Sequence, residues 1–330
     1  AAAAALVLLL LPLLAAVAPA GAAGPGNATE EAWAAFKERF NRTTQNATEE
    51  ATRFGLFNAS YAAIEAHNAN AASAFTLQLY EWADWTAEEL AASRAGLVPS
   101  TLTLETLSEP WAAANGSVPP LDPEEAPTQL DWRCSYSNPK GVAAVTPVKD
   151  QGSCGSCWAH ASGAAAEGRT AVADSVLLDL SVQEIVDCNN AGWGCAGGTI
   201  EAALQWFSSS GLETSFDYPL TNKDLAPCQY NVTQVVASGE GLLFSQYSEE
   251  VLMAMLLEVG PVVAAIQADC AYFMYYDGGI ITEDCTDSCA LLDHAITVVG
   301  YGYDEDEDLD YWIIKNSWGT GWGEDGYARI

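Results

Sequence analysis

Positive charge is scarce in this chain. Lysine and arginine together number 12 among 330 residues, against 44 aspartates and glutamates, so the formal net charge is −32. Because a surface of this sign repels phosphate backbones, the composition excludes nucleic acid as a partner. The negative charge fits two interpretations that the sequence does not separate: solubility alone, or service in an acidic compartment where protonation of carboxylates relieves self-repulsion.

Long apolar runs are equally few, because no stretch after residue 23 approaches transmembrane length. Residues 1–23 are almost purely apolar and end in Ala18-Pro19-Ala20, a small-x-small pattern typical of signal-peptidase cleavage. We expect a signal peptide over 1–23, incomplete at its N-terminus, and no stable membrane anchor, although the run is long enough to be one. A secretory route, to a lysosome, a vacuole or the outside of the cell, is also favoured by six N-glycosylation sequons, at Asn27, Asn41, Asn46, Asn58, Asn115 and Asn231.

Histidine is rare as well, with three in the chain, so a catalytic base has few candidates. The segment Gln151-Gly152-Ser153-Cys154-Gly155-Ser156-Cys157-Trp158 precedes a run of small residues that predicts a helix. Cys157 would lie in its first turn, where free backbone N–H groups and the helix dipole favour a thiolate. Alternatively, Cys157 forms a disulfide or a redox-active pair with Cys154. A redox pair usually follows the central strand of a βαβ unit, which the pattern here does not show.

Two strand-like segments further on carry a base and an orienting group. His294 opens a β-branched strand 137 residues after Cys157, and Asn316 ends a second strand 159 residues after it. Between them runs Asp304 to Asp310, which lacks the glycine and terminal glutamate of a calcium-binding loop. We predict a solvated hairpin loop there and no metal site.

The motif Cys-Gly-Ser-Cys-Trp, with the histidine and asparagine segments in the same order, resembles the papain-like cysteine proteases. The resemblance implies an α+β, two-lobed fold, in which a helical lobe carrying Cys157 faces a β-barrel-like lobe carrying His294 and Asn316. It also implies a monomeric thiol endopeptidase that hydrolyses peptide bonds of protein and peptide substrates through a Cys-His-Asn triad and a thioester intermediate, without a cofactor.

The same resemblance assigns roles around the nucleophile. Gln151 and the backbone N–H of Cys157 would form the oxyanion hole, and Trp318 would shield the bond between His294 and Asn316. His160 stands where the family more often has an aromatic residue, and we interpret it as packed or hydrogen-bonded. Substrate backbone or an apolar side chain two residues before the scissile bond would contact Gly197, Gly198, Ala265, Leu292 and Ala295.

Nine cysteines in a secreted chain indicate disulfides plus a free thiol at Cys157. By resemblance, Cys154 pairs with Cys195 and Cys188 with Cys228. The remaining four allow three pairings if all pair internally: Cys134, Cys270, Cys285 and Cys289.

The N-terminal part is amphipathic and helical in pattern. Its series Glu49-x3-Arg53-x3-Phe57 and Ile64-x3-Asn68 is similar to the cathepsin-L-type propeptides, as is the segment 77–90. In that segment Gln78, Tyr80 and Trp82 stand where the motif has glycine, asparagine and phenylalanine. The resemblance implies a zymogen whose propeptide is an intramolecular inhibitor. We therefore expect four parts: signal peptide 1–23, propeptide 24–127, helical lobe 128–238, and β lobe 239–330, truncated at its C-terminus.

Two other classes of function remain as alternatives. A non-catalytic relative would bind peptides or inhibitors, although all four catalytic positions are filled here. A disulfide-stapled extracellular binding module would need Cys157 to be paired.

Overall fold

The structure, a computed structural model, describes residues 26–98, 126–224, 227–239, 249–283, 285 and 292–330. The chain divides into two units, Ala1–Thr43 and Thr44–Ile330. The helices are α1 Gly26–Arg39, α2 Ala47–Asn68, α3 Ala87–Arg94, α4 Cys157–Asp174, α5 Val182–Cys188, α6 Ile200–Ser210, α7 Glu249–Val259 and α8 Ala271–Met274. The strands are β1 Phe75–Leu77, β2 Leu130–Asp131, β3 Val262–Ile266, β4 Tyr276–Gly279, β5 His294–Asp304, β6 Leu309–Lys315 and β7 Tyr327–Arg329.

Within the described ranges no helix has both the length and the apolar character needed to cross a bilayer. The predicted signal peptide, residues 1–23, lies outside these ranges, as do residues 99–125 of the predicted propeptide. In the first unit, α1 carries Trp33 and Phe36, whose stacked rings have centroids 5.5 Å apart.

Contacts within the second unit explain the sequence motif of the predicted propeptide (the prosegment, residues 24–127). Arg53 on α2 donates to both carboxylate oxygens of Glu89 on α3, which raises the pKa of the guanidinium chiefly through that hydrogen bond. Asn68 Nδ2 donates to Leu77 O at 2.8 Å, and Leu77 N donates to Asn68 Oδ1 at 2.9 Å. Phe57, which lies between Arg53 and Asn68 in the sequence of α2, is fully buried. The motif residues therefore join α2 to the segment that follows it.

The prosegment pairs with a strand of the C-terminal part in a separate two-stranded sheet. β1 pairs antiparallel with β4, with Phe75 opposite Gly279. Two of the residues that depart from the propeptide motif donate to this part of the molecule: Tyr80 Oη to Tyr276 O at 2.6 Å, and Trp82 Nε1 to Met274 O at 3.2 Å. Tyr80 and Trp82 therefore help to bind the prosegment to the C-terminal part.

The helical half is built on α4, which is buried over most of its length. Its small side chains allow close packing of α5 and α6, with a core cluster formed by Trp158, Ala159, Ala166, Leu180, Val182, Ile185, Val186, Ala203, Phe207, Leu212 and Ala237. Trp158 directly follows Cys157, so the first turn of α4 is fixed by the centre of this core.

The sheet half is organised around β5, which pairs with β2, β3 and β6, while β7 pairs with β6. Every residue of β5 from His294 to Gly302 is buried. Thr297 lies opposite Lys315, so the beginning of β5 and the end of β6 lie side by side at the same end of the sheet. This places His294 and Asn316 together. The acidic run forms the turn between Asp304 and Leu309, which confirms the predicted hairpin.

A buried ion pair ties α4 to the loop before it. Glu167 has no exposed surface; it accepts from Thr146 Oγ1, from Lys149 Nζ at 2.8 Å and from Leu180 N at 3.0 Å. Burial lowers the pKa of Lys149, but the carboxylates of Glu167 and Asp179 outweigh burial, and the pKa is raised.

We expect Glu167→Leu to lower the free energy of unfolding by ~3–5 kcal/mol, because Lys149 would keep only the more exposed Asp179, and Thr146 Oγ1 and Leu180 N would lose their acceptor. Urea unfolding in a Cys157→Ala background, which prevents self-digestion, measures the change. Glu305→Gln, on the exposed hairpin turn, is the control and should change the free energy by less than ~0.5 kcal/mol. A loss below ~1 kcal/mol for Glu167→Leu would contradict a compensating role for the pair.

Candidate active site

Cys157 is the first residue of α4, is fully buried, and forms no disulfide with any cysteine that the structure describes. It clusters with Ala161 and Ala295, and Leu97 of the prosegment packs against this cluster. Burial raises the pKa of the thiol to about 12, and hydrogen bonds with the backbone of Ala295 and Trp158 oppose the rise by less. The helix N-terminus favours a thiolate, as the sequence indicated, but desolvation under the prosegment is larger. Cys157 is therefore a neutral thiol in this structure.

His294 and Asn316 form a hydrogen bond where β5 begins and β6 ends. The distance from His294 Nε2 to Asn316 Oδ1 is 2.8 Å, and Asn316 Oδ1 also accepts from Ser317 N at 2.8 Å. An amide oxygen only accepts, so Nε2 carries the proton and Nδ1 is unprotonated in the neutral ring. Burial lowers the pKa of His294 to about 4, and the bond to Asn316 offsets this only in part.

The indole of Trp318 covers this pair. Its ring centroid lies 4.9 Å from that of His294, and its side chain is 4% exposed. Trp318 Nε1 donates to the carbonyl of Arg94 at 3.3 Å. Arg94 itself is buried, lies over the ring of Trp82 at 4.3 Å and pairs with Glu81 at 2.7 Å. No sequence pattern predicts Arg94 at this place, because its position depends on the docked path of the prosegment.

Gln151 is fully buried and its amide is held at both ends. Oε1 accepts from Ser317 Oγ at 2.7 Å, and Nε2 donates to Cys154 O at 3.0 Å and to Ser93 O at 3.1 Å. The NH₂ group thus faces a prosegment carbonyl. Such a fixed donor is suited to an oxyanion.

Prosegment residues 93–98 run along the backbone of the helical half. Gly198 N donates to Gly96 O at 2.9 Å, and Val98 N donates to Gly198 O at 2.9 Å. On the other side, Leu97 N donates to Asp293 O at 3.1 Å. Leu97 and Gly198 form a parallel bridge. The prosegment is therefore bound by main-chain hydrogen bonds to both halves, in the manner of an added strand.

Of the other residues assigned from sequence, Gly197 lies against this segment. Gly197 has φ +121°, and a Cβ there would lie 2.8 Å from Gly96 O. Ala265 lies opposite Ala295 in the sheet, whereas the side chain of Leu292 is 43% exposed.

Two lining residues were not identified from the sequence. Ile200 and Val263 pack against the cluster around Cys157, together with Leu97. Val263 precedes Ala265 by two positions on β3, so the two-residue period of a strand was a usable signal. Ile200 opens α6 directly after the glycine pair, and its sequence context gave no comparable signal.

The structure contains the disulfides Cys154–Cys195 and Cys188–Cys228, the pairs that the resemblance implied, and a third between Cys270 and Cys285. Cys134 has no disulfide partner in the described part of the chain, and Cys289 lies outside it. Because Cys154 is bonded to Cys195, the redox pair with Cys157 is excluded. A disulfide-stapled binding module would need Cys157 to be paired. Because Cys157 is unpaired among the described residues, the structure does not support that alternative.

Residues 126–330 match the sequence family described as papain family cysteine protease, and residues 33–90 match the cathepsin propeptide inhibitor domain. The first match alone spans more than half of the chain. This protein belongs to the papain family of cysteine proteases. The protease is 35% identical to a cathepsin L-like peptidase of Aedes aegypti, over 98% of this chain and 94% of that protein. It is 36% identical to cathepsin L1 of Drosophila melanogaster, over 97% of this chain and 85% of that protein.

Solved structures agree with these matches. Procathepsin L2 from the larval midgut of Tenebrio molitor aligns with the protease at a TM-score of 0.75 and 33% identity, over 92% of this chain and 94% of that chain. A second midgut enzyme, procathepsin L 3, aligns at 0.71 and 30%, over 91% and 92%. The predicted α+β, two-lobed fold with a propeptide is confirmed. The chain is the zymogen of a cysteine-type peptidase, a hydrolase with a propeptide inhibitor domain.

Proposed function

We propose that Cys157 is the nucleophile of this protease, His294 its base and acid, and Asn316 the group that orients His294. The observation that carries the assignment is the 2.8 Å bond from His294 Nε2 to Asn316 Oδ1. That bond occupies Nε2 and leaves Nδ1 as the nitrogen able to take a proton. Cys157, unpaired and at the first turn of α4, belongs to the same buried cluster as Ala295, the residue after His294.

In the proposed mechanism, the Cys157 thiol transfers its proton to His294 Nδ1, and the thiolate attacks the peptide carbonyl. Gln151 Nε2 and the backbone N–H of Cys157 donate to the oxyanion. The intermediate collapses as the imidazolium gives its proton to the leaving amine, which leaves a thioester on Cys157. Water, deprotonated by His294, then hydrolyses the thioester and releases the carboxylic acid product.

The prosegment is proposed to inhibit by occupying this site. Gln151 Nε2 is engaged by Ser93 O, and Gly198 is engaged on both its N–H and its C=O by residues 96–98. These groups are the ones assigned to the oxyanion and to the substrate backbone. A peptide substrate therefore competes directly with residues 93–98.

Acid should favour release of the prosegment. While the prosegment covers His294, burial holds the pKa of the imidazole at about 4, below its ordinary value of 6.5. The released state therefore binds more protons than the covered state between these two values. Lowering the pH through this window shifts the equilibrium toward release, and the covered state regains its full advantage above pH 6.5.

The substrate preference is proposed to be apolar at the second residue before the scissile bond. Leu97 supports this, because it packs, as do Ile200 and Val263, against the buried cluster of Cys157, Ala161 and Ala295. An aliphatic side chain of substrate would bury a similar surface. We further propose a secretory route to a lysosome-like compartment or the exterior, on the basis of the apolar leader, the sequons and the disulfides.

Active-site labelling tests the proposed function. The secreted zymogen is activated at pH 4.5 and treated with an epoxysuccinyl thiol-protease inhibitor. We expect one label per molecule, on Cys157, together with loss of the prosegment and hydrolysis of a peptide substrate. Cys157→Ala should lose both label and hydrolysis, whereas Cys134→Ala, which removes the other unpaired cysteine of the described part, should retain both.

The opposite result has a definite meaning. A folded, processed protein that takes no label at Cys157 would indicate an unactivated thiol. The non-catalytic binding of peptides would then replace proteolysis as the function of this site.

A further inference from the structure

A small cavity lies behind Asn316, between α4 and the sheet. It has room for about one water molecule. Thr297 Oγ1 donates to Ala161 O at 3.1 Å beside it, so both halves of the protease form its wall. Its polar lining consists of His160, Asn316, Lys149, Lys315, Thr297 and Ser317.

His160 presents an acceptor to this cavity. Its Nδ1 lies 3.0 Å from Ser156 O and 3.2 Å from Ser156 Oγ; the nearer carbonyl only accepts, so Nδ1 carries the proton. In the neutral ring Nε2 is then a free acceptor. His160 is 5% exposed and Nε2 has no hydrogen-bond partner within the described residues. Burial lowers the pKa of His160 to about 4, so the ring is neutral above that value.

Asn316 presents a donor to the same cavity. Its Oδ1 accepts from His294 Nε2 and from Ser317 N. Its Nδ2 is buried and has no partner in the described part of the protease. An amide nitrogen and an unprotonated imidazole nitrogen are complementary through one water, which accepts from the first and donates to the second.

The other polar groups around the cavity are already engaged in different bonds. Lys149 Nζ pairs with Glu167 and Asp179, and Lys315 Nζ donates to Thr146 Oγ1 at 3.1 Å. Ser317 Oγ donates to Gln151 Oε1. The lysine ammonium groups are donors only and cannot satisfy Asn316 Nδ2.

We propose that His160 is a positioning residue for Asn316, acting through one buried water held between Asn316 Nδ2 and His160 Nε2. The inference rests on the proposed triad and extends it. The water fixes the amide so that its oxygen, rather than its nitrogen, faces His294. Without this link the amide can turn over, two N–H groups then face each other, and His294 loses the bond that orients its ring.

The position of His160 determines which parts of the site the water would connect. It stands one turn after Cys157 on α4, whereas Asn316 follows β6. The water therefore joins the helix that carries the nucleophile to the residue that orients the base. An aromatic residue, more usual at this position, has no acceptor nitrogen and could not form the link.

The test compares two substitutions at position 160 in the full-length zymogen after activation. His160→Leu removes the acceptor and should lower kcat by about tenfold with KM within about twofold, since a buried donor loses its partner. His160→Gln restores an acceptor oxygen near the position of Nε2 and should recover kcat to within about threefold of the unmodified enzyme. Ser162→Ala is the matched control, because Ser162 lies on the same helix, is buried like His160, does not line the cavity, and has an Oγ without a hydrogen-bond partner among the described residues.

The pH profile provides a readout that a packing role would not move. Near pH 4 protonation turns His160 Nε2 into a donor, so kcat of the unmodified enzyme should fall there, whereas His160→Gln, which does not titrate, should retain more of its activity at that pH. Lys149, Lys315 and Asp150 act electrostatically on His160 and remain unchanged in the variant.

A crystal structure of the Cys157→Ala zymogen at better than about 1.2 Å resolution examines the water without requiring activity. Density within hydrogen-bond distance of both Asn316 Nδ2 and His160 Nε2, absent in the His160→Leu form, supports the proposal. An empty cavity, or equal loss of kcat in the Leu and Gln variants, overturns it, as does unchanged kcat in the Leu variant. Failure of the unmodified enzyme to label at Cys157 would instead refute the triad itself.

Discussion

Gly96→Ala in the prosegment should abolish latency. Gly96 has φ +135°, and a Cβ there would lie 2.1 Å from the carbonyl oxygen of Gly155 and 2.4 Å from its carbon. Both are backbone atoms next to the Cys154–Cys195 disulfide and cannot give way easily. The strain of a non-glycine residue at this φ and the loss of the two hydrogen bonds to Gly198 together should raise the rate of Cys157 labelling in the uncleaved zymogen at pH 7 about a thousandfold.

The control for this substitution is Gly55→Ala, on α2 of the same prosegment. Apart from the neighbouring backbone of α2, a Cβ at Gly55 would meet no described atom within 4 Å, so latency should be unchanged. Thermal unfolding of both variants in a Cys157→Ala background separates loss of docking from loss of folding. If Gly96→Ala labels as slowly as the unmodified zymogen, residues 93–98 are not the inhibitory part of the prosegment.

Gln151→Ala should reduce kcat by about 100- to 1000-fold with little change in KM, because an oxyanion donor acts mainly in the transition state. The amide is already oriented in the zymogen by Ser317 Oγ and Cys154 O, so the donor requires no rearrangement when substrate replaces Ser93. Steady-state hydrolysis of a peptide substrate by the activated enzyme measures the loss.

Alkylation of Cys157 by iodoacetamide distinguishes this role from a general disturbance. That reaction forms no oxyanion, so its rate in Gln151→Ala should stay within about threefold of the unmodified enzyme. Gln205→Ala, at an exposed position of α6, should match the unmodified enzyme in both assays. Equal losses in hydrolysis and alkylation would instead assign Gln151 to holding the site together.

Much of the site was accessible from sequence because its signals are local. The helix after Cys157, the strand that begins at His294 and the strand that ends before Asn316 are each encoded by neighbouring residues. Pairing of β5 with β6 then brings the last two together. The path of residues 93–98 was not accessible. It depends on contacts with Gly198, Asp293 and Gln151, whose hydrogen bonds to the segment span 56 or more residues of the chain.

The sequence by itself determined the family, the nucleophile motif, the order of the catalytic segments and the presence of a prosegment, because these depend on residue types at fixed short spacings. Only the tertiary structure decided the state of the site. Burial makes Cys157 a neutral thiol, and burial keeps His294 neutral although its bond to Asn316 favours the charged form. Desolvation depends on every group packed around an atom, including groups from distant parts of the chain, so no local pattern encodes it.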